Sequence, residues 1–116
     1  MPFVLAVVDD LFFSVQITDM AKRAGLPVRY TRNLADTLLQ AKEQPRLVLV
    51  DLNLKQVDTV DLIRQVKALH PTLPLAAYVS HVQVELRHAA AAAGADPVVP
   101  RSAFSAKVPA LLRACV

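Results

Sequence analysis

The 116-residue chain predicts an open, doubly wound α/β sheet of five parallel strands with five helices. Three observations point to it. Short apolar runs, beginning with Phe3-Val4-Leu5-Ala6-Val7-Val8, alternate five times with stretches of helical period; hydrophobic residues make up 54% of the chain with only 2 Gly; and no segment is left over for a linker or tail. A continuously apolar strand is buried on both faces, as in a parallel sheet covered by helices. The length suits a single domain, residues 1–116.

Each element has its own signal. After the first strand and Asp9-Asp10, Ile17, Met20, Ala21 and Ala24 fall on one helical face, and Gly25-Leu26-Pro27 stops that helix. Val28 to Thr31 is a short second strand whose interleaved Arg29 places it at the sheet edge. Asn33 caps the next helix, with Leu34, Leu38 and Ala41 as its apolar stripe and Asp36 set favourably against the helix dipole. Pro45 ends that helix, and Arg46 to Val50 is the central buried strand, which delivers Asp51 just beyond its end. A third helix follows Asp58, buries Leu62, Val66 and Leu69, and closes at His70-Pro71. Leu75 to Val79 is the fourth strand, and a helix from about Val82 to Ala93 stops at Gly94, with Leu86, Ala90 and Ala93 on one side. Pro97-Val98-Val99 leaves room for a short fifth strand. Val108, Leu112 and Cys115 mark a short final helix starting near Pro109, a residue suited to a first helical turn.

Composition excludes several classes. One cysteine cannot form an internal disulfide and fits a reducing cytoplasm. No apolar run approaches the roughly 20 residues of a membrane helix, and Asp9 and Asp10 come too early for a signal-peptide core. A cytoplasmic protein without membrane contact is expected. Lys and Arg number 13 against 10 Asp and Glu, but the basic residues are spread singly apart from Lys22-Arg23, which argues against a nucleic-acid stripe. With Gly only at 25 and 94 there is neither a P-loop nor a dinucleotide fingerprint. His70 and His88 lack ligand-spaced companions for zinc, and no Ser-His-Asp arrangement can be built. His81, after Ser80, reads as a solvent-facing histidine at a helix start.

Right-handed crossovers and the β/α order favour the flavodoxin-like strand order 2-1-3-4-5, with a ligand crevice between strands 1 and 3. Asp9, Asp10 and Asp51 are expected to converge there. Three crowded carboxylates repel one another, and a hard divalent ion is the simplest remedy; Mg²⁺ takes one or two carboxylates and serves phosphoryl chemistry.

The acidic pair after the first strand, Asp51 after Leu47-Val48-Leu49-Val50, and the Gly94-Ala95-Asp96 turn before strand five together resemble a CheY-like receiver domain of bacterial response regulators. The resemblance covers the whole chain. It implies that Asp51 accepts a phosphoryl group, and that Asp9, Asp10, Asp51 and the backbone carbonyl of Asn53 hold Mg²⁺. It further implies a sensor histidine kinase or other signalling protein as partner, and output by protein–protein contact. Enzyme activity is expected to be no more than self-phosphorylation from a phosphodonor and slow autodephosphorylation.

Three departures bear on the readout. The family's Thr or Ser at the end of strand four falls on Val79, with Ser80 one residue later; strand alternation puts Ser80 on the other face unless the strand bulges. The switch aromatic of strand five falls on Val98. The family's lysine falls on Arg101, a planar fork suited to clamping a carboxylate, and the Pro lies before it rather than after. A direct Arg101–Asp51 ion pair would suit the rival reading, a phosphorylation-independent docking or dimerisation module. Its contact face would be helix four, strand five and the final helix, a side also compatible with a homodimer. A metal-dependent phosphohydrolase is disfavoured because Asn53 stands where its general acid would be. Of Phe12 and Phe13, one is expected to pack inward and the other to lie beside the site as an anchor for a partner.

Overall fold

A computed structural model describes residues 2–80 and 83–115. Its elements alternate as β1 (Val4–Val7), α1 (Leu11–Arg23), β2 (Val28–Thr31), α2 (Leu34–Ala41), β3 (Leu47–Asp51), α3 (Thr59–Leu69), β4 (Leu75–Val79), α4 (Val84–Ala93), β5 (Val98–Pro100) and α5 (Arg101–Cys115). All neighbouring strands pair in parallel, in the order β2-β1-β3-β4-β5. His81 and the expected start of helix four at Val82 lie outside the described residues.

Alternation along the central strands divides the interior into two half-cores. Leu5, Val7, Val48, Val50, Ala77 and Val79 face α2, α3 and α4, where Ala41, Leu62, Ile63, Val66 and Ala90 meet them. Val4, Ala6, Leu47, Leu49, Ala76 and Tyr78 face α1 and α5, against Phe13, Ile17, Ala21, Phe104, Val108 and Leu112. Both faces of β1, β3 and β4 are therefore dry, which is why these strands read as unbroken apolar runs. β2 is at the edge, with Arg29 and Tyr30 exposed.

Side chains cap three of the helices. Asp10 Oδ1 accepts from Phe13 N–H at the start of α1, Asn33 Oδ1 from Asp36 N–H at α2, and Asp58 Oδ1 from Asp61 N–H at α3. Leu69 is 42% exposed, and Ile63 takes the buried place assigned to it. One helical turn before His70, the stripe had already been completed by Leu62, Ile63 and Val66.

The final helix is longer than its sequence suggests. It begins at Arg101, directly after β5, and carries Pro109 in its interior. Phe104 joins Val108 and Leu112 on the buried face, and this extra turn of packing outweighs the single hydrogen bond that Pro109 cannot donate. Asp96–Pro97 is the cis peptide bond among the described residues; Arg101–Ser102 is not cis.

Gly94 ends α4 at φ +121°, and a Cβ there would lie 2.8 Å from Lys67 Cγ. Lys67 is held in place by its Nζ, which donates to the Leu73 carbonyl at 2.7 Å. Gly25, at φ +80°, has open space around it. Gly94→Ala is expected to destabilise the fold by about 2–3 kcal/mol, from strained backbone plus displacement of Lys67, and Gly25→Ala by about 1 kcal/mol from backbone alone. Urea unfolding of the two variants measures the difference.

Candidate functional site

The C-terminal ends of β1 and β3 meet at the centre of the sheet, where the strand order reverses. In such sheets that crevice is where ligands bind. Asp51 is the last residue of β3, not the first after it, and is 8% exposed. Its Oδ1 accepts the Asn53 N–H at 2.9 Å. Burial pushes its carboxyl above the usual carboxylate range, and the neighbouring Asp10 charge acts in the same direction; the Asn53 N–H, the Tyr78 hydroxyl and Arg101 oppose them.

Asp10 sits beside it with the opposite balance. The Phe13 N–H at the start of α1 lowers its carboxyl below the ordinary value, and Arg101 adds to that effect against the cost of burial. Arg101 Nη2 donates to Asp10 Oδ2, and its guanidinium lies over the Phe13 ring at 4.5 Å. The ion pair is thus made to Asp10 and not to Asp51. The geometry accounts for this: Arg101 is the first residue of α5, directly after β5, and Asp10 caps α1, the helix that packs beside α5.

Asp9 is exposed and paired elsewhere: Arg32 Nη1 donates to its Oδ1 at 3.3 Å. Among the described residues no group of three His, Cys, Asp or Glu side chains gathers as a metal cluster, so the expected convergence of Asp9 with Asp10 and Asp51 is not seen. The sequence offered no signal for Arg32, which comes from the loop after the edge strand. The oxygen donors of Asp10 and Asp51 still fit Mg²⁺, an ion content with one or two carboxylates plus water and phosphate oxygens. The Arg101 guanidinium occupies the side of Asp10 where a cation would otherwise sit.

Asn53 ties the loop after β3 to the loop after β4. Its Oδ1 accepts from the Ser80 N–H at 3.0 Å and from the Ser80 hydroxyl at 3.4 Å, and its Nδ2 donates to Gln83 Oε1 at 2.5 Å. Ser80 is therefore engaged with Asn53. Val79 is fully buried on the α3/α4 side, and Val98 is packed partly buried on that same side. Phe13 packs inward at 6% exposure while Phe12 is 66% exposed. Phe12, Phe13, Gln16, Ser80, Arg101 and Ser102 border an open cleft of about 500 Å³ next to the acidic pair.

A residue the sequence left among the strand apolars lies under the site. Tyr78 pairs across β4 with Asp51 on β3, and the charges of Asp51, Asp10 and Arg101 all act on its hydroxyl. The only available signal was a phenol inside an otherwise aliphatic run.

Comparison with known proteins bears on this geometry. A family model described as the response regulator receiver domain matches residues 4–111. No curated protein matches. Among solved structures, NtrX from Brucella abortus in complex with ADP is similar at a TM-score of 0.83 and 21% identity, covering 99% of this chain and 27% of that chain. The chain thus spans about a quarter of that protein. The receiver domain of NtrX alone gives the same TM-score and identity over 97% of this chain and 96% of that one. A response regulator protein from Burkholderia pseudomallei, solved with a phosphorylated aspartic acid, calcium ion and citrate, has a TM-score of 0.82 at 23% identity over 97% of this chain and 66% of that chain. The beryllofluoride-activated NtrC4 receiver domain dimer has a TM-score of 0.80 at 17% identity and covers 100% of both chains. These likenesses carry the CheY-like fold, and with the family match over nearly the whole length the chain belongs to the receiver domains of response regulators.

Proposed function

We propose that this receiver accepts a phosphoryl group on Asp51 and passes the signal on by protein–protein contact. The observation that supports it is a nearly buried carboxylate at the switch point, one oxygen held by the Asn53 N–H, with Asp10 and Arg101 alongside. In the transfer, the free Asp51 oxygen attacks phosphorus, the bond from phosphorus to the leaving group breaks with its electron pair departing, and an acyl phosphate remains. The donor is the phosphohistidine of a sensor histidine kinase or a small acyl phosphate. As the partner of such a kinase's cytosolic part, the domain belongs in the cytoplasm; among the described residues no helix is long and apolar enough to cross a membrane.

Asp10 and Asp51 would hold Mg²⁺, joined by the Asn53 backbone carbonyl, with Asp9 once it leaves Arg32. When bound, the ion supplies charge neutralisation to the phosphoryl oxygens. Arg101 is the residue that supplies positive charge to Asp10 otherwise, and its reach from α5 lets it turn to a phosphoryl oxygen when released. Ser80, displaced from the family position and held by Asn53, serves as the rim hydroxyl only after giving up that bond. The exposed Phe12 beside the cleft is an apolar contact for the partner, and a homodimer through α4, β5 and α5 is a second outlet.

Intact mass after incubation with Mg²⁺ and a small acyl phosphate tests the reading. One added phosphoryl group is expected, absent from Asp51→Ala and absent with chelator; an unlabelled, folded wild type would overturn the reading in favour of the phosphorylation-independent docking module.

Arg101→Gln removes the cation that competes for Asp10, and Mn²⁺ binding followed by electron paramagnetic resonance is expected to tighten by about threefold to tenfold, the order of a lost partly exposed charge pair.

The two aspartates predict opposite pH effects. Asp51 has a raised carboxyl, so its contribution to stability is present below the ordinary Asp value near pH 3.9 and is lost as pH rises through the raised one. Asp51→Asn is therefore expected to raise Tm at neutral pH, on the order of 4 °C, with the gain fading towards pH 4. Asp10 has a lowered carboxyl, so its contribution is present above pH 3.9 and lost on acidification below it; Asp10→Asn is expected to lower Tm at neutral pH. Thermal melts from pH 3 to 8 check both signs.

A further inference from the structure

The hydroxyl of Tyr78 is explained neither by the packing of its ring nor by the acceptor chemistry described so far. The residue is 1% exposed, and its hydroxyl oxygen, without solvent contact, makes no hydrogen bond of normal length and angle among the described residues. Leaving a buried donor unpaired costs about 1–3 kcal/mol, and a phenylalanine would fill the same space without that cost.

The ring is fixed from both sides. Phe104 lies 4.4 Å away between ring centroids and Phe13 meets it edge-on at 5.0 Å. Phe13 in turn carries the Arg101 guanidinium over its outer region. On the sheet, Tyr78 is the register partner of Asp51, and alternation sends both side chains to the α1/α5 side. The hydroxyl is near enough to Asp51 to help lower its carboxyl, without a well-formed bond. No other hydroxyl from β4 is available on this side: Val79 is apolar and faces α3 and α4, and Ser80 donates to Asn53.

We infer that Tyr78 is a positioning residue of the acceptor site, whose hydroxyl donates to an oxygen of the Asp51 acyl phosphate, a contact that the aliphatic Val79 cannot make. The inference rests on Asp51 being the phosphoacceptor. No proton is transferred; the phenol stays neutral, and the bond, poorly formed to the resting carboxylate, is completed to a charged oxygen of the added phosphoryl group. An interaction stronger in the modified than in the resting state favours the modified state. The resting protein bears the cost of the loose hydroxyl, a trade of stability for function that Tyr78→Phe would undo.

The test compares wild type, Tyr78→Phe and Asp51→Ala by two readouts, Tm of the resting protein and time courses of phosphorylation and loss followed by intact mass with acetyl phosphate and Mg²⁺. Tyr78→Phe is expected to melt at or above the wild-type temperature, yet to be phosphorylated about tenfold more slowly or to lose the group about tenfold faster, the size expected for one hydrogen bond to a charged group. A lowered Tm with unchanged kinetics makes the hydroxyl structural and overturns the inference, as does equal labelling and lifetime in a stable Tyr78→Phe. If the wild type takes no phosphoryl group, the acceptor reading itself fails and this inference falls with it, an outcome distinct from a labelled wild type that Tyr78→Phe matches.

Discussion

A carboxylate kept 8% exposed at the end of the central strand is the constraint around which the rest of the domain is arranged. Burying an ionisable group disfavours its charged form, and only nearby donors and cations make that tolerable. The Asn53 N–H holds one oxygen directly, and Arg101 supplies positive charge across Asp10. Each of these comes from a different segment, and only the strand order that brings β1, β3 and β4 side by side assembles them. The dry half-cores above and below the sheet keep those segments at fixed separations, since packed interiors deform little.

Much of this order is legible in the amino-acid sequence because parallel strands buried on both faces leave an unmistakable trace. Leu47 to Val50 and Phe3 to Val8 are apolar without a break, and each is followed by acids, of which the fold brings Asp51 and Asp10 near one another. Caps at Asn33 and Asp58 and the stop at Gly94 are equally readable, because each depends on the chemistry of a single residue next to its own backbone.

What was not legible depends on partners far apart in the chain. Asp9 reads as a third member of the acidic group until Arg32, 23 residues on, is seen to take it. Arg101 reads as a clamp for Asp51 until α5 is seen to start at that residue and carry it to Asp10. Pro109 reads as a first-turn residue because local preference cannot weigh one missing hydrogen bond against Phe104 burying its ring. Tyr78 reads as strand filling because periodicity records the face of a side chain and says nothing of where its tip ends.

Pro109 also bears on what holds Arg101 in place. Without an N–H at that position, the carbonyl four residues earlier, that of Ser105, has no helical partner, so the lengthwise ties of α5 are thinned midway. Phe104 and Val108 before the proline and Leu112 after it anchor α5 against α1's half-core, and the leading end carries the arginine that reaches the acids. In the helix carrying the cation that any ligand of Asp10 must displace, the grip of Phe104 and Val108 on the core thus stands in for the missing axial tie.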